Sequence, residues 1–275
     1  MEGLQHQQSS VLERQLVQTL LDEVWPRLSW SAPSKNALVI GCATGETMCL
    51  DLLPRMPQDV FIVAGDGRQE MINECVARFP FDNVGFIVVD FGTPDIQATQ
   101  AWNLVPYTKI FSFFYLQSIR DQNQVMENIY KLLVDGGEAF IVMIIYTAVD
   151  SLYLALSRAD YWNLYVQDYR HFVTPYQLLD DPADVLRGFL EDAGLQIINV
   201  ECREVNFSSQ NINVIREGVR ATNLFHSRLP PAVQLSYWED CISEVRSNGK
   251  LILPHPNDAM YHYRYNALIA HVMKP

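Results

Sequence analysis

The residues best suited to chemistry are a run of small side chains, Gly41-Cys42-Ala43-Thr44-Gly45, and two aspartates, Asp66 and Asp90, each closing an apolar run. The spacing G-x-A-x-G leaves backbone bare enough for a ligand to lie against it, and Asp66 follows Gly45 by 21 residues. A carboxylate at the end of a second strand can accept hydrogen bonds from both hydroxyls of a ribose. One at the end of a third, Asp90, can accept from an adenine amino group. A dinucleotide would need G-x-G-x-x-G, which here falls on Gly41, Ala43 and Glu46. Glu46 would set a negative charge against the diphosphate at a helix start, so an adenosine ligand without phosphates is the better expectation.

These positions require a parallel sheet. "ALVI", "VFIVAG", "VGFIVV", "KIFSFF" and "EAFIVMII" are short apolar runs, and helical patterns separate them. Near-continuous apolar strands alternating with helices indicate an α/β fold whose sheet is covered on both faces. Ligands of such sheets bind beyond the strands' carboxyl ends, where "ALVI" runs into the small-residue turn. Before the sheet, apolar spacing through Leu12, Leu16, Leu20 and Leu21, with Ser10 and Glu13 as a capping box and Pro26 as a stop, predicts a helix over about 9–25. Asp121 and Gln124 cap another helix, Asp135-Gly136-Gly137 turns the chain into the fifth strand, and a helix from Asp181-Pro182 closes at Gly194.

With 275 residues, 49% of them apolar, the chain can bury a large core. It is read as one domain, with its core over about 37–145, 182–204 and 251–275 and insertions over about 146–181 and 205–250. The net charge of −12 opposes nucleic-acid binding. Five scattered cysteines without a CxxC pair give neither a disulfide framework nor a zinc site, and no histidine has metal-ligand spacing. No secretion signal is recognised and the longest apolar run, "AFIVMII", is too short to span a membrane, so a cytoplasmic protein is expected.

Read in order, "LVIGCATG", "VAGDGRQEMI", "FIVVDFGT", "KIFSFFYLQSI", "NIYKLLVDGGEAFIV" and "LEDAGLQIINVECRE" resemble the successive motifs of the class I S-adenosylmethionine-dependent methyltransferases. "FSFFYL", "NIYKLL" and "TPYQLLDDP" look most like the juvenile hormone acid O-methyltransferases of arthropods. The resemblance implies a Rossmann-like sheet of seven strands, the last antiparallel, with helical insertions capping the active site. It implies that S-adenosylmethionine is held by Gly41, Ala43, Gly45, Asp66, Gly67, Asp90 and Phe91. The substrate would be a small hydrophobic acid, such as farnesoic or juvenile hormone acid, contacted by Glu13, Tyr115, Ser118, Tyr146, Tyr153, Trp162 and His171. Gln117 would orient its carboxylate.

Five positions depart from the family pattern. Val39 replaces an acidic residue, Ala43 the middle glycine, and Gln117-Ser118 a His-Trp pair, while Glu13 stands where a glutamine is usual. These departures leave a second reading open, a methyltransferase-fold protein that binds an apolar ligand without catalysis. The aromatic crowding of 146–176 suits an apolar pocket, or the packing of the insertion itself.

Overall fold

The apolar runs form the strands of a single sheet. The computed structural model describes residues 14–30, 35–146, 148–169, 174–176, 179–213, 225, 228–247, 251–252 and 260–275. Its strands are β1 (Asn36–Ile40), β2 (Phe61–Asp66), β3 (Val84–Val88), β4 (Tyr107–Phe113), β5 (Leu133–Tyr146), β6 (Gln196–Ser209), β7 (Leu251–Ile252) and β8 (Tyr261–Met273). They lie in the order β3-β2-β1-β4-β5-β8-β6, with the two-residue β7 paired antiparallel to β8 outside that path. β1 is parallel to β2 and β4, and β5 continues the parallel set beside β4. Beyond the end of β8, Lys274 donates to the Gly137 carbonyl and accepts from Gly136, near the start of β5, so β8 runs antiparallel. The seven-strand path with its antiparallel member agrees with the expected fold. The chain order reverses between β1 and β4, the place where an open α/β sheet leaves a crevice.

Helices cover the sheet through the predicted faces. The first, α1, is described over residues 14–24 and buries Leu16, Val17, Leu20, Leu21 and Val24; its capping box lies outside the described residues. Gln69–Arg78 (α2) buries Met71, Ile72 and Cys75. Gln122–Leu132 (α3) opens where Asp121 accepts from the Gln124 amide at 3.0 Å, as its sequence predicts. One expectation needs adjusting. Asp135-Gly136-Gly137 is not a turn before β5 but an irregularity inside it: Tyr107 pairs with Leu133, and the next register pair is Lys109 with Glu138. Gly136 has φ +75°, and a side chain on Gly137 would stand 2.7 Å from the Val134 carbonyl, so the two glycines admit the extra residues into a continuous strand.

Contacts divide the chain into two compact units. One comprises Arg14–Met143, Leu179–Cys202 and Leu268–Pro275 and contains β1–β4, α1–α3 and a helix α6 (Pro182–Asp192). The other includes Ile144–Leu178 and Arg203–Ala267, with α4 (Ala148–Arg158), α5 (Asp160–Val166) and α7 (Pro231–Ser247).

At the amino-terminal end of the sheet, the first unit buries a charge cluster. Glu138 on β5 accepts from the Ser29 amide at 3.0 Å, lies 3.2 Å from the Lys109 ammonium and 2.7 Å from His271 Nε2. Lys109 also donates to the Thr108 carbonyl and sits over the Trp30 ring. Burial opposes ionisation of Glu138, but His271, the Ser29 amide and Lys109 outweigh it and hold the carboxyl below its usual range.

Candidate functional site

The turn after β1 takes a conformation that its small residues permit. Gly41, Ala43 and Gly45 all have positive φ, +78°, +47° and +88°. Such values are routine for glycine and costly for alanine. The turn is fixed to the end of β2: the amides of Gly41 and Cys42 both donate to the Gly65 carbonyl, at 2.8 and 3.1 Å. Asp66 completes the attachment. One carboxylate oxygen accepts from the Ala43 amide at 3.1 Å and the other from the Arg68 amide at 3.0 Å, with the residue only 1% exposed. Each oxygen retains a second lone pair, so Asp66 can staple the turn and still accept from a ligand.

The neighbouring residues extend the crevice. Asp90 is exposed and accepts from the Gly92 amide at 2.9 Å, while Phe91 is fully buried against Gly65. Glu46 does not face the crevice. Its carboxylate pairs with Arg78 on α2 and accepts from the Thr44 hydroxyl, so the charge expected to repel a diphosphate is largely compensated. Below the turn, the Cys75 thiol donates to the Ala43 carbonyl at 3.1 Å and lies 3.9 Å from Cys42 Sγ. The bond to Cys75, reinforced by burial, pushes the Cys42 thiol up, so it stays protonated and unreactive.

The room expected above the two glycines is not empty. A Cβ built on Gly45 would stand 2.9 Å from the Phe79 ring and 3.1 Å from Cys75 Sγ, so this glycine lets α2 approach. A Cβ on Gly41 would fall 2.1 Å from Cγ of Tyr115, whose ring lies across the turn. At its far end the hydroxyl lies over Gly67, 3.0 Å from where a Cβ on that glycine would stand. Burial, then the charge of Asp66, pushes the Tyr115 phenol up to about 12. Its ring meets Phe91 edge-on, with centroids 6.5 Å apart. Phe114, just before it, has φ +58°, an outlier for a bulky residue.

Chemically, bare backbone at Gly41, a free lone pair on each Asp66 oxygen and an exposed Asp90 suit an adenosyl ligand in kind, and Tyr115 fills the space over Gly41. No family model matches the chain. It is 26% identical over 242 residues to the juvenile hormone acid O-methyltransferase of Bombyx mori, covering 88% of this chain and 84% of that protein. Its identity to the Drosophila melanogaster protein of the same name is 22% over 272 residues, covering 98% and 91%. Over most of its length the chain is similar to the juvenile hormone acid O-methyltransferases. Its fold is that of the S-adenosylmethionine-dependent methyltransferases. Phosphoethanolamine N-methyltransferase 2 of Haemonchus contortus, solved with S-adenosyl-L-methionine, aligns with a TM-score of 0.51 and 13% identity over 94% of this chain and 52% of that one.

Some substrate residues that similarity to the juvenile hormone acid O-methyltransferases suggests are placed and others are not. Glu13 and His171 lie outside the described residues, and Tyr146 is described only as the last residue of β5. Tyr153 and Trp162 are in the interior of the second unit. Tyr153 meets Phe225 edge-on, and Trp162 packs on Tyr237 while donating its indole N–H to Asp240 at 2.7 Å. Gln117 donates to the Phe114 carbonyl at 2.8 Å, which leaves its Oε1 buried without a hydrogen-bond partner. Ser118 is exposed and donates to the Tyr115 carbonyl at 2.7 Å, so its hydroxyl closes the helical turn Leu116–Ser118. Val39 is buried in β1, paired with Ala64 and Phe111.

The conformation of Phe114 and the position of Tyr115 over Gly41 escape sequence reasoning. A signal exists for the second. Once β4 is placed beside β1, the residues following "KIFSFF" must lie next to the small-residue turn, and a tyrosine among them has the reach to cross it.

Proposed function

We propose that this chain transfers the methyl group of S-adenosylmethionine to the carboxylate of a small hydrophobic acid, one like farnesoic or juvenile hormone acid, in the cytoplasm. The observation that carries the reading is the left-handed turn of Gly41, Ala43 and Gly45, stapled by Asp66 at the switch point of the sheet. Near full-length similarity to two proteins named for juvenile hormone acid methylation supports the substrate class. Gly41, Ala43, Gly45, Asp66, Gly67, Asp90 and Phe91 would hold the cofactor, with Asp66 and Asp90 accepting from the ribose and the adenine. When bound, S-adenosylmethionine supplies an electrophilic methyl on a sulfonium.

Little acid–base work is then required of the protein. An apolar carboxylic acid is ionised at neutral pH, so the nucleophile needs no general base. What remains is orientation and exclusion of water. Gln117 spends one amide N–H on the Phe114 carbonyl and keeps a second to orient a carboxylate. No described helix is long and apolar enough to cross a membrane.

A reading without catalysis is favoured by one observation, the Tyr115 ring over Gly41. The deciding assay uses S-adenosylmethionine labelled in its methyl group, a panel of apolar carboxylic acids, and extraction of labelled ester. Ester formation by the wild-type protein, lost in Asp66→Ala, is the expected result. If S-adenosylmethionine binds and no acid is esterified, catalysis is excluded. Retention of an apolar ligand without any affinity for the cofactor establishes the second reading.

A further inference from the structure

Two glycines assigned to the cofactor, Gly41 at the end of β1 and Gly67 after β2, are both covered by one side chain. A Cβ on Gly41 would meet Cβ, Cγ and Cδ2 of Tyr115 within 2.5 Å, and one on Gly67 would meet its hydroxyl at 3.0 Å. The ring therefore spans from the first strand end to the second, along the line of bare backbone that the ligand would use. It packs edge-on against Phe91, with ring centroids 6.5 Å apart. Phe114, with φ +58°, is held by its own amide, which donates to the Val142 carbonyl at 2.7 Å. A strained residue directly before the ring fixes the direction in which the chain delivers it.

We infer that Tyr115 is the residue that sets ligand affinity and selectivity in this crevice: it occupies the ligand's place over Gly41 and must turn out before an adenosyl group can lie there. The inference rests on the cofactor reading above. Its physical basis is population shift. If only a fraction of molecules holds the ring out, the apparent dissociation constant is the intrinsic one divided by that fraction. Minor states of roughly 1–10% would weaken binding about ten- to a hundredfold. The same competition selects among ligands, because only one that recovers the lost contacts at Phe91 and Gly67 displaces the ring fully. An adenine can stack where the phenol stood, and a ribose hydroxyl can cover Gly67. A small apolar acid can do neither.

The test is calorimetric titration of the wild-type protein, Tyr115→Ala and Tyr115→Phe with S-adenosylhomocysteine, which binds without turnover. Tyr115→Ala should bind about ten- to a hundredfold more tightly than wild type, the gain that removing the occluded population allows. Tyr115→Phe keeps the ring and loses only the hydroxyl that covers Gly67, so its affinity should rise by less. Should Tyr115→Ala fail to fold, Tyr115→Leu, which still packs on Phe91 but cannot reach Gly67, gives the same comparison. If wild type binds and the truncated variant binds equally or less tightly, the ring is part of the ligand's wall and the inference is overturned while the cofactor reading stands. If none of the proteins binds, both are overturned together.

Discussion

The two ends of the parallel sheet treat unfavourable groups in opposite ways. At the amino-terminal end, Lys109, Glu138 and His271 are buried ionisable groups with partners matched to them, and β5 accommodates its extra residues at two glycines. At the carboxyl end, Ala43 and Phe114 are non-glycine residues held at positive φ, and the Oε1 of Gln117 is buried without a partner. Burial alone does not separate these ends, since both lie within the same compact unit. Compensation does. Among the described residues, the first end meets the cost of its buried cluster and of its extra strand residues locally, which is what stability requires. The second keeps strain and an unused acceptor where the strand order reverses, which is where binding sites of this sheet type lie.

The strongest way to break this comparison is to remove the centre of the compensated end. Glu138→Ala leaves Lys109 buried beside no carboxylate, and loss of one partner from a buried pair costs about 3–5 kcal/mol. Equilibrium denaturation should show that loss, with affinity for S-adenosylhomocysteine unchanged in the protein that remains folded. The double change Glu138→Leu with Lys109→Met should recover most of it, since apolar residues of similar size replace buried pairs at little cost. A loss below about 1 kcal/mol in Glu138→Ala would show that the cluster is more hydrated than its burial implies.

Acid should expose the same cluster. The folded-state pKa of Glu138 lies below its ordinary value of 4.5. In the window between the two, the unfolded chain binds more protons than the folded one, so stability rises with pH there. The contribution is complete above the ordinary value and is lost as pH falls through the lowered one. Denaturant midpoints measured from about pH 6 down to about pH 3 should fall more steeply for the wild type than for Glu138→Gln, which carries no titrating group at that position. Parallel profiles would mean that the carboxyl gains nothing on folding.

At the other end, Asp66→Ala removes the acceptor for both the Ala43 and the Arg68 amides. Buried donors left without acceptors cost about 1–3 kcal/mol, so stability should drop by roughly that amount. Affinity for S-adenosylhomocysteine should fall much further, by about a hundredfold or more, because two charge-assisted hydrogen bonds disappear with the carboxylate. Equal loss of affinity in Glu138→Ala and Asp66→Ala would remove the distinction between the two ends.

Gly45 and Asp66 show how legible this arrangement is in the sequence. The sheet, its order-reversal point and the aspartate at the end of β2 follow from apolar runs and turn residues, because strand alternation and strand-end carboxylates leave a local trace. The purpose of individual glycines does not. The spacing around Gly45 suggests room for a ligand, whereas the residue admits Phe79 and Cys75 of the α2 region, a requirement set by side chains about thirty positions away. Glu46 suggests a clash with a ligand charge, but its partner is Arg78. Tyr153 and Trp162 suit a pocket wall by composition, yet they are buried and have edge-on ring contacts, and the Trp162 indole donates to Asp240. In each case the residue type is informative and the partner is not, since tertiary partners are chosen by the fold rather than by sequence spacing.

The smallest effect tests the strain directly. Ala43 stands in a left-handed conformation that costs an alanine about 1 kcal/mol relative to glycine. A glycine in its place would relieve that cost but widen the unfolded ensemble, and the second effect opposes the first by about 0.4–1 kcal/mol. Ala43→Gly should therefore change overall stability by less than about 1 kcal/mol in either direction. Ligand affinity is the sharper measure, because the unfolded ensemble does not enter it. If the methyl of Ala43 protrudes into the crevice, Ala43→Gly binds S-adenosylhomocysteine more tightly, and the gain should add to that of Tyr115→Ala when the two changes are combined. If affinity is unchanged while Tyr115→Ala still strengthens binding, the turn is already open enough, and the ring alone separates this end of the sheet from a ready binding site.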